Sequence, residues 1–184
     1  MARGVRACED PRMQPVQLRI LVTGGTFDKS YDELEGRLRF QATHVPEMLI
    51  LGRSRLRVEV ETLMLVDSLE MTDEHRARVL SACRRAPEDR LVVTHGTDTL
   101  ELTARTVGAA QLPKTIVLTG AMVPYTFGSS DGLFNLGSAL AFAQTLPAGT
   151  WVAMNGRCFR WDDVRKNRGS GVFEECSPSP APPA

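Results

Sequence analysis

Leu91-Val92-Val93-Thr94-His95-Gly96-Thr97-Asp98-Thr99-Leu100-Glu101 contains the change of pattern that decides the fold. Leu91, Val92 and Val93 read as a short buried strand and Gly96 breaks it. Asp98, followed three residues later by Glu101, has the capping-box pattern of a helix start. A strand that runs straight into a helix delivers the Thr97 hydroxyl and the Asp98 carboxylate to the strand's carboxyl end, where open α/β sheets place their ligand crevice. Helix capping alone accounts for an isolated Thr-Asp pair, because caps favour these residues. The chain does the same thing earlier, however. Leu18-Arg19-Ile20-Leu21-Val22 is a short apolar run that stops at Thr23-Gly24-Gly25-Thr26. Two glycines let the backbone approach a ligand and aim amide N–H groups at it. Spacing excludes a phosphate loop, for neither GxGxxG nor GK[ST] follows this first strand.

The segments between and beyond these turns alternate in kind. Asp28 to Phe40 is polar, with Tyr31 near its start and Gly36 in its middle, and reads as a plain surface hairpin or, beside a ligand turn, as a lid. Val45-Pro46-Glu47-Met48-Leu49-Ile50-Leu51 predicts a short helix with Pro46 in its first turn. Arg57 to Leu65 predicts a second strand, followed by Val66-Asp67-Ser68-Leu69 with small and acidic residues again at the strand end. Thr72-Asp73-Glu74 caps a helix with Val79, Leu80 and Cys83 on one face. Leu100, Thr103, Ala104, Val107 and Ala110 predict a further helix by their spacing. Thr115 to Thr119 predicts a fourth strand, stopped at Gly120-Ala121. Asp131 is placed to cap a long helix with Leu133, Leu136, Leu140 and Ala143 inward. Trp151 to Met154 is a fifth strand, and Cys158-Phe159 with Val164 predicts a hairpin ahead of Arg165-Lys166-Asn167. Strands alternating with helices predict an α/β domain, a mostly parallel sheet flanked by helices, over 18–173. Residues 1–17 are expected to be a disordered or mis-assigned extension, and 174–184 a disordered Pro-rich tail.

At 184 residues the chain is long enough to bury about 70% of its unfolded surface in one domain. Lysine plus arginine number 22, as do aspartate plus glutamate, so no net field favours nucleic acid or an anionic membrane. A small neutral or zwitterionic partner is the natural expectation. No run approaches a membrane span. The four cysteines form no CxxC and the first seventeen residues have no apolar leader core, which predicts reduced thiols in a cytoplasmic protein. His44, His75 and His95 lack HxxxH or HExxH spacing, so no catalytic metal is expected. His95 reads as a strand-end residue bonded to backbone. The absence of G-x-S-x-G disfavours a serine hydrolase.

Folding this pattern gathers Thr26, Ser68, Thr97 and Asp98 at neighbouring strand ends, with Lys166 as the late candidate to join them. A threonine hydroxyl is a poor nucleophile until a base takes its proton, and an uncharged lysine in a dry pocket is such a base. The alternative for Lys166 is a solvated lysine in a basic patch with Arg165 and Arg168.

With Thr23-Gly24-Gly25-Thr26 and Thr94-His95-Gly96-Thr97-Asp98-Thr99 both following strands, the chain resembles the bacterial-type L-asparaginase/glutaminase family of amidohydrolases. The likeness continues through Thr119-Gly120-Ala121-Met122, the Ser130-Asp131-Gly132 to Asn135-Leu136 run, and Val152 to Gly156 through Asp163-Val164-Arg165-Lys166. It covers nearly everything from Leu18 to Phe173. The resemblance implies the three-layer, flavodoxin/Rossmann-like fold of the asparaginase N-terminal domain and hydrolysis of L-asparagine to L-aspartate and ammonia through a threonine acyl-enzyme, with weaker glutaminase action and no cofactor. It makes Thr26 the nucleophile, assisted by Tyr31 on a mobile loop, and Thr97, Asp98 and Lys166 a second cluster with Lys166 as base. Asp98 and Ser68 would hold the substrate's ammonium and carboxylate, Ala121 its side-chain amide, and backbone N–H groups of the Gly25-Thr26 and Gly96-Thr97 turns its oxyanion.

Two features depart from the family pattern. Family members usually carry a second α/β domain that completes the neighbouring subunit's site, and this sequence ends where that domain would begin, as in a short-chain, single-domain form. Leu69 stands after Ser68, where many relatives have glutamine. A homodimer or homotetramer is the expected assembly. A partner-dependent amidotransferase subunit and an amino-acid sensor are the rival readings.

Overall fold

Strands that are apolar at every position, rather than every second one, are covered on both faces. That holds for the inner strands of the sheet at the centre of this protein, seen in a computed structural model that describes residues 17–176. The expected N-terminal extension and Pro-rich tail fall almost wholly outside those residues. Six strands form the sheet: β1 (Gln17–Gly24), β4 (Arg57–Val66), β5 (Arg90–Thr94), β6 (Thr115–Thr119), β7 (Gly149–Met154) and β8 (Arg157–Arg160), in the spatial order β4-β1-β5-β6-β7-β8. All neighbours pair in parallel except β7 and β8. A hairpin of β2 (Lys29–Asp32) and β3 (Arg37–Phe40) and a short pair of β9 (Arg165–Lys166) with β10 (Phe173–Glu174) stand apart from it.

Alternate residues of the inner strands β1, β5, β6 and β7 enter different cores. Leu21, Leu91, Val93, Ile116, Leu118 and Val152 pack against α2 (Asp73–Arg85) and α3 (Leu100–Gly108). Ile20, Val22, Val92, Val117 and Ala153 pack against α1 (Val45–Leu51) and α4 (Gly132–Thr145) on the other side. The result is the three-layer α/β arrangement expected from the alternation of strands and helices.

Chain order fixes where a ligand crevice falls. From β1 the chain passes through α1 to β4 on one side, whereas from β5 it passes through α3 to β6 on the other. The carboxyl ends of β1 and β5 therefore flank a topological switch point.

Four local expectations are corrected. Asp98 and Glu101 do not form a capping box: the N-cap of α3 is Thr99, with no side-chain cap bond, because the Asp98 carboxylate is drawn to the Lys166 amine and that of Glu101 to the Lys166 backbone N–H. A charge-assisted bond of that kind outweighs a neutral cap. Asp131 does sit at the N-cap of α4 but turns its carboxylate back to the N–H groups of Met122 and Val123, leaving the helix uncapped by it. Cys158-Phe159 pairs with β7 rather than with Val164. Asn155 and Gly156, with φ of 52° and 79°, form the two-residue Asn-Gly turn whose twist matches a hairpin. Finally, α3 ends at Gly108, before Ala110.

Candidate active site

Ser68, Thr26, Thr97 and Ala121 follow the carboxyl ends of β4, β1, β5 and β6, which are consecutive in the sheet. The two central turns touch through their backbones. A Cβ on Gly25 would lie 2.3 Å from the Gly96 nitrogen and 2.4 Å from its Cα, and the Gly25 φ of +82° is a conformation that favours glycine. Gly96 in turn lies against Ser68, whose Oγ would be 2.5 Å from a Cβ added there. Thr99 Oγ1 donates to the Ser68 carbonyl at 2.7 Å, locking the third turn to the second. Glycine at 25 and 96 is thus a requirement of close approach, and the sequence signal for it was the repetition of the pattern after two strands.

Lys166 completes one side of the site. Its Nζ donates to Thr97 Oγ1 at 2.8 Å and to Asp98 Oδ1 at 2.7 Å. The lysine side chain is only 8% exposed, against 38% for Asp98, so the amine is the covered member of the pair and the carboxylate faces the opening. A solvated basic patch does not describe this residue. Arg165, its neighbour, points the other way to Glu174.

The other side is looser. Thr26 opens a 3-10 turn, Thr26–Asp28, and is half-buried. Tyr31 lies opposite Leu38 in the β2–β3 hairpin and is 58% exposed, and its hydroxyl makes no hydrogen bond to Thr26 or to any other described residue. The structure therefore brings Thr97, Asp98 and Lys166 together, sets Gly25, Gly96 and Ser68 in contact, and leaves Tyr31 outside. Two attachments tie the hairpin to the site: Lys29 is ion-paired with Asp67, which accepts the Leu69 N–H at 2.9 Å, and the Lys29 carbonyl accepts from Thr126. Burial raises the Asp67 carboxyl, but the bonds from Lys29 and Leu69 outweigh it and hold the group below the ordinary carboxylate value. Leu69 itself is exposed.

The turn amides are unequal. The Gly25 N–H is taken by the Val66 carbonyl at 3.2 Å, whereas the N–H groups of Thr26, Gly96 and Thr97 have no backbone acceptor among the described residues. Ala121 is fully buried. The carbonyl before it, that of Gly120, is held at 2.9 Å by Asn135, which also accepts the Asn155 N–H at 2.9 Å.

Two buried titrating groups flank the site. His95 has Nδ1 at 2.7 Å from the Gly96 carbonyl and Nε2 at 2.7 Å from the Thr103 hydroxyl, so Nδ1 carries the proton and Nε2 accepts. Burial pushes its pKa down to about 4. It is a structural strut bonded to backbone, as its sequence position suggested. Asp28 accepts from Thr43 Oγ1 at 2.9 Å and the His44 N–H at 3.0 Å, while its Oδ2 is buried without a partner. Burial raises its pKa, and the His44 and Thr43 bonds offset that only in part. Nothing in the sequence marked Asp28 as buried, because it lies in a polar run. Among the described residues no group of three or more His, Cys, Asp or Glu is placed to hold a metal, and no helix is long and apolar enough to cross a membrane.

Comparison with known proteins extends this picture. The family description "Asparaginase, N-terminal" matches residues 17–178. The chain is 35% identical over 163 residues to a glutaminase-asparaginase of Pseudomonas fluorescens biotype A, covering 80% of this chain and 44% of that protein. It is 28% identical over 180 residues to L-asparaginase 1 of Escherichia coli, covering 92% and 53%. The thermostable L-asparaginase from Thermococcus kodakarensis superposes with a TM-score of 0.78 at 29% identity, over 87% of this chain and 51% of that one. The chain thus spans about half the length of the curated relatives it matches.

Proposed function

Because this chain belongs to the asparaginase family, matched along the N-terminal part of that fold, we propose that it is an amidohydrolase that converts L-asparagine to L-aspartate and ammonia, with glutamine as a weaker substrate. The observation that carries this reading is the covered Lys166 amine, 2.8 Å from Thr97 Oγ1, where Thr97 lies in the turn after β5, the strand paired with the one that leads into the Gly25-Thr26 turn.

In this reading the Thr26 oxygen attacks the side-chain amide carbon. Its proton passes, with help from Tyr31 once the hairpin closes, to the leaving nitrogen, and ammonia departs from a threonine ester. The N–H groups of Thr26, Gly96 or Thr97 stabilise the oxyanion, a contact worth about 3 kcal/mol for each donor in comparable sites. Water, deprotonated through Thr97 and Lys166 acting as base, then attacks the ester carbon and releases aspartate and the free Thr26 hydroxyl. Asp98, with its exposed carboxylate, suits the substrate ammonium, Ser68 the α-carboxylate, and the Ala121 carbonyl the side-chain amide. No cofactor enters the scheme. Assembly as a homodimer or homotetramer is part of the same proposal.

Ammonia release from L-asparagine by the purified chain tests it. Thr26→Ala and Lys166→Met should each lower kcat by about a thousandfold or more, the scale seen when a member of a coupled catalytic set is removed. Asparagine binding without ammonia release would favour the sensor, and release only in the presence of a partner protein the amidotransferase subunit. With Leu69 offering no amide beside Ser68, the KM for asparagine should lie well above the low micromolar range.

A further inference from the structure

Lys166 sits on a strand that the main sheet does not hold. β9 is two residues long and pairs only with β10, Phe173 opposite Lys166 and Glu174 opposite Arg165. The Asn167 N–H points toward β10, donating to the Val172 carbonyl at 2.8 Å. Successive N–H groups of a strand face opposite ways, so the Lys166 N–H faces the other edge. There it meets Glu101, whose Oε2 accepts it at 2.7 Å. Glu101 lies in the first turn of α3, a helix fixed by the buried Leu100, Thr103, Ala104 and Val107. A carboxylate oxygen is a strong hydrogen-bond acceptor for a backbone N–H. A second, longer tether runs from Arg105 to the Val164 carbonyl at 3.5 Å.

We infer that Glu101 is a positioning residue for the proposed hydrolysis: by gripping the Lys166 backbone from α3, it fixes the lysine to the same rigid element that presents Thr97 and Asp98. Asp98 and Glu101 divide the work, one bonding the amine and the other the main chain. A lysine side chain is long and flexible, so holding its Cα removes much of the freedom that would let the amine drift from Thr97. The Asp98–Glu101 spacing, which reads as a capping box in the sequence, is in this structure a two-point clamp on a residue 65 positions away from Glu101.

The inference rests on the amidohydrolase reading, and two measurements separate their failures. In ammonia-release kinetics, Glu101→Ala should lower kcat by about 10- to 100-fold, the cost of misplacing a reacting group by an ångström or so, while KM changes less than kcat. Glu101→Gln, which keeps an acceptor oxygen, should restore most of the rate. The double variant Glu101→Ala with Lys166→Met should be no slower than Lys166→Met alone. If the alanine variant does not fold, Glu101→Asp, one methylene too short to reach, takes its place. An unchanged kcat, a glutamine variant as slow as alanine, or losses that multiply in the double variant would each overturn the inference. Independently of activity, acylation of the Lys166 amine by an amine-reactive reagent, read by peptide mass spectrometry, should be faster in Glu101→Ala than in the unaltered chain. Equal labelling would also overturn it. An unaltered chain that releases no ammonia would instead remove the functional reading, with the labelling result still deciding the role of Glu101.

Discussion

The two sides of the candidate site are built differently. On the β5–α3–β9 side, residues 97–101 of one continuous segment each have a partner elsewhere in the chain or a place at the helix start: Thr97 and Asp98 hold the Lys166 amine, Thr99 the Ser68 carbonyl, and Glu101 the Lys166 N–H. On the β1–hairpin side, Thr26 has no comparable set of bonds. Tyr31 is exposed, Lys29 and Ser30 attach the hairpin to Asp67, Thr126 and His44, and Asp28 anchors the turn before it to Thr43 and His44. One side converges on the Lys166 amine and main chain, whereas the other is held to its surroundings around Thr26 rather than through it. In the proposed hydrolysis this division keeps the proposed acid–base cluster in place when substrate arrives and gives the proposed nucleophile's side the task of admitting it.

The junction between the sides is the most sensitive place to disturb this contrast. Gly25→Ala drives a methyl group into the Gly96 backbone at a positive φ, and should cost about 3 kcal/mol or more of stability along with the activity. Urea unfolding read by circular dichroism measures the first, and a variant as stable as the unaltered chain would mean that the two turns do not touch in solution.

Tyr31→Phe probes the loose side alone. Losing a proton-transfer partner typically costs about 100-fold or more in kcat, and removing an exposed hydroxyl should leave the unfolding midpoint nearly unchanged. A loss of stability as large as the loss of rate would show that the hairpin is as fixed as the opposite side.

The smallest effect distinguishes the sides by the sign of their pH dependence. His95, on the fixed side, has its folded pKa depressed from 6.5 to about 4 by burial. Its contribution is therefore present above pH 6.5 and is lost as pH falls toward 4. Asp28, on the loose side, has its pKa raised above 3.8 by burial. The folded state holds that proton longer than the unfolded chain, so its contribution is complete below 3.8 and is lost as pH rises through the raised value. Asp28→Asn removes the second slope while keeping an acceptor for Thr43 and His44. It should gain stability at neutral pH, by about 1 kcal/mol or less, and lose that advantage in acid. Thermal melts of both chains across pH 4 to 7.5 check the sign, and an advantage that grows on acidification would reverse the assignment.

The fold and the place of the crevice were largely legible in the sequence. The continuous apolar runs of β5 and β6 announced strands covered on both faces, and the glycine-threonine turns after the first and third of the expected strands marked the crevice. What misled was local ambiguity. Asp98 followed by Glu101 is written identically whether the carboxylates cap their own helix or reach across to a distant lysine. The Asn155-Gly156 turn was present in the sequence, yet the apolar Val164 drew the expected hairpin forward. Val164 is buried in the core beside α3 rather than paired in a strand.

The amino-acid sequence by itself determined the alternation of strands and helices, and it put a hydroxyl or carboxylate after three of the four strand ends that bear on the site. These are matters of period and of turn chemistry within a few residues of one another. Tertiary structure alone decided that Lys166 is covered, that Glu101 holds it by the main chain, that Tyr31 stands outside, and that Asp28 is buried. Each of these depends on which surfaces meet when segments tens of residues apart are packed together, and that is settled by the closing of the two cores around the sheet rather than by any local pattern.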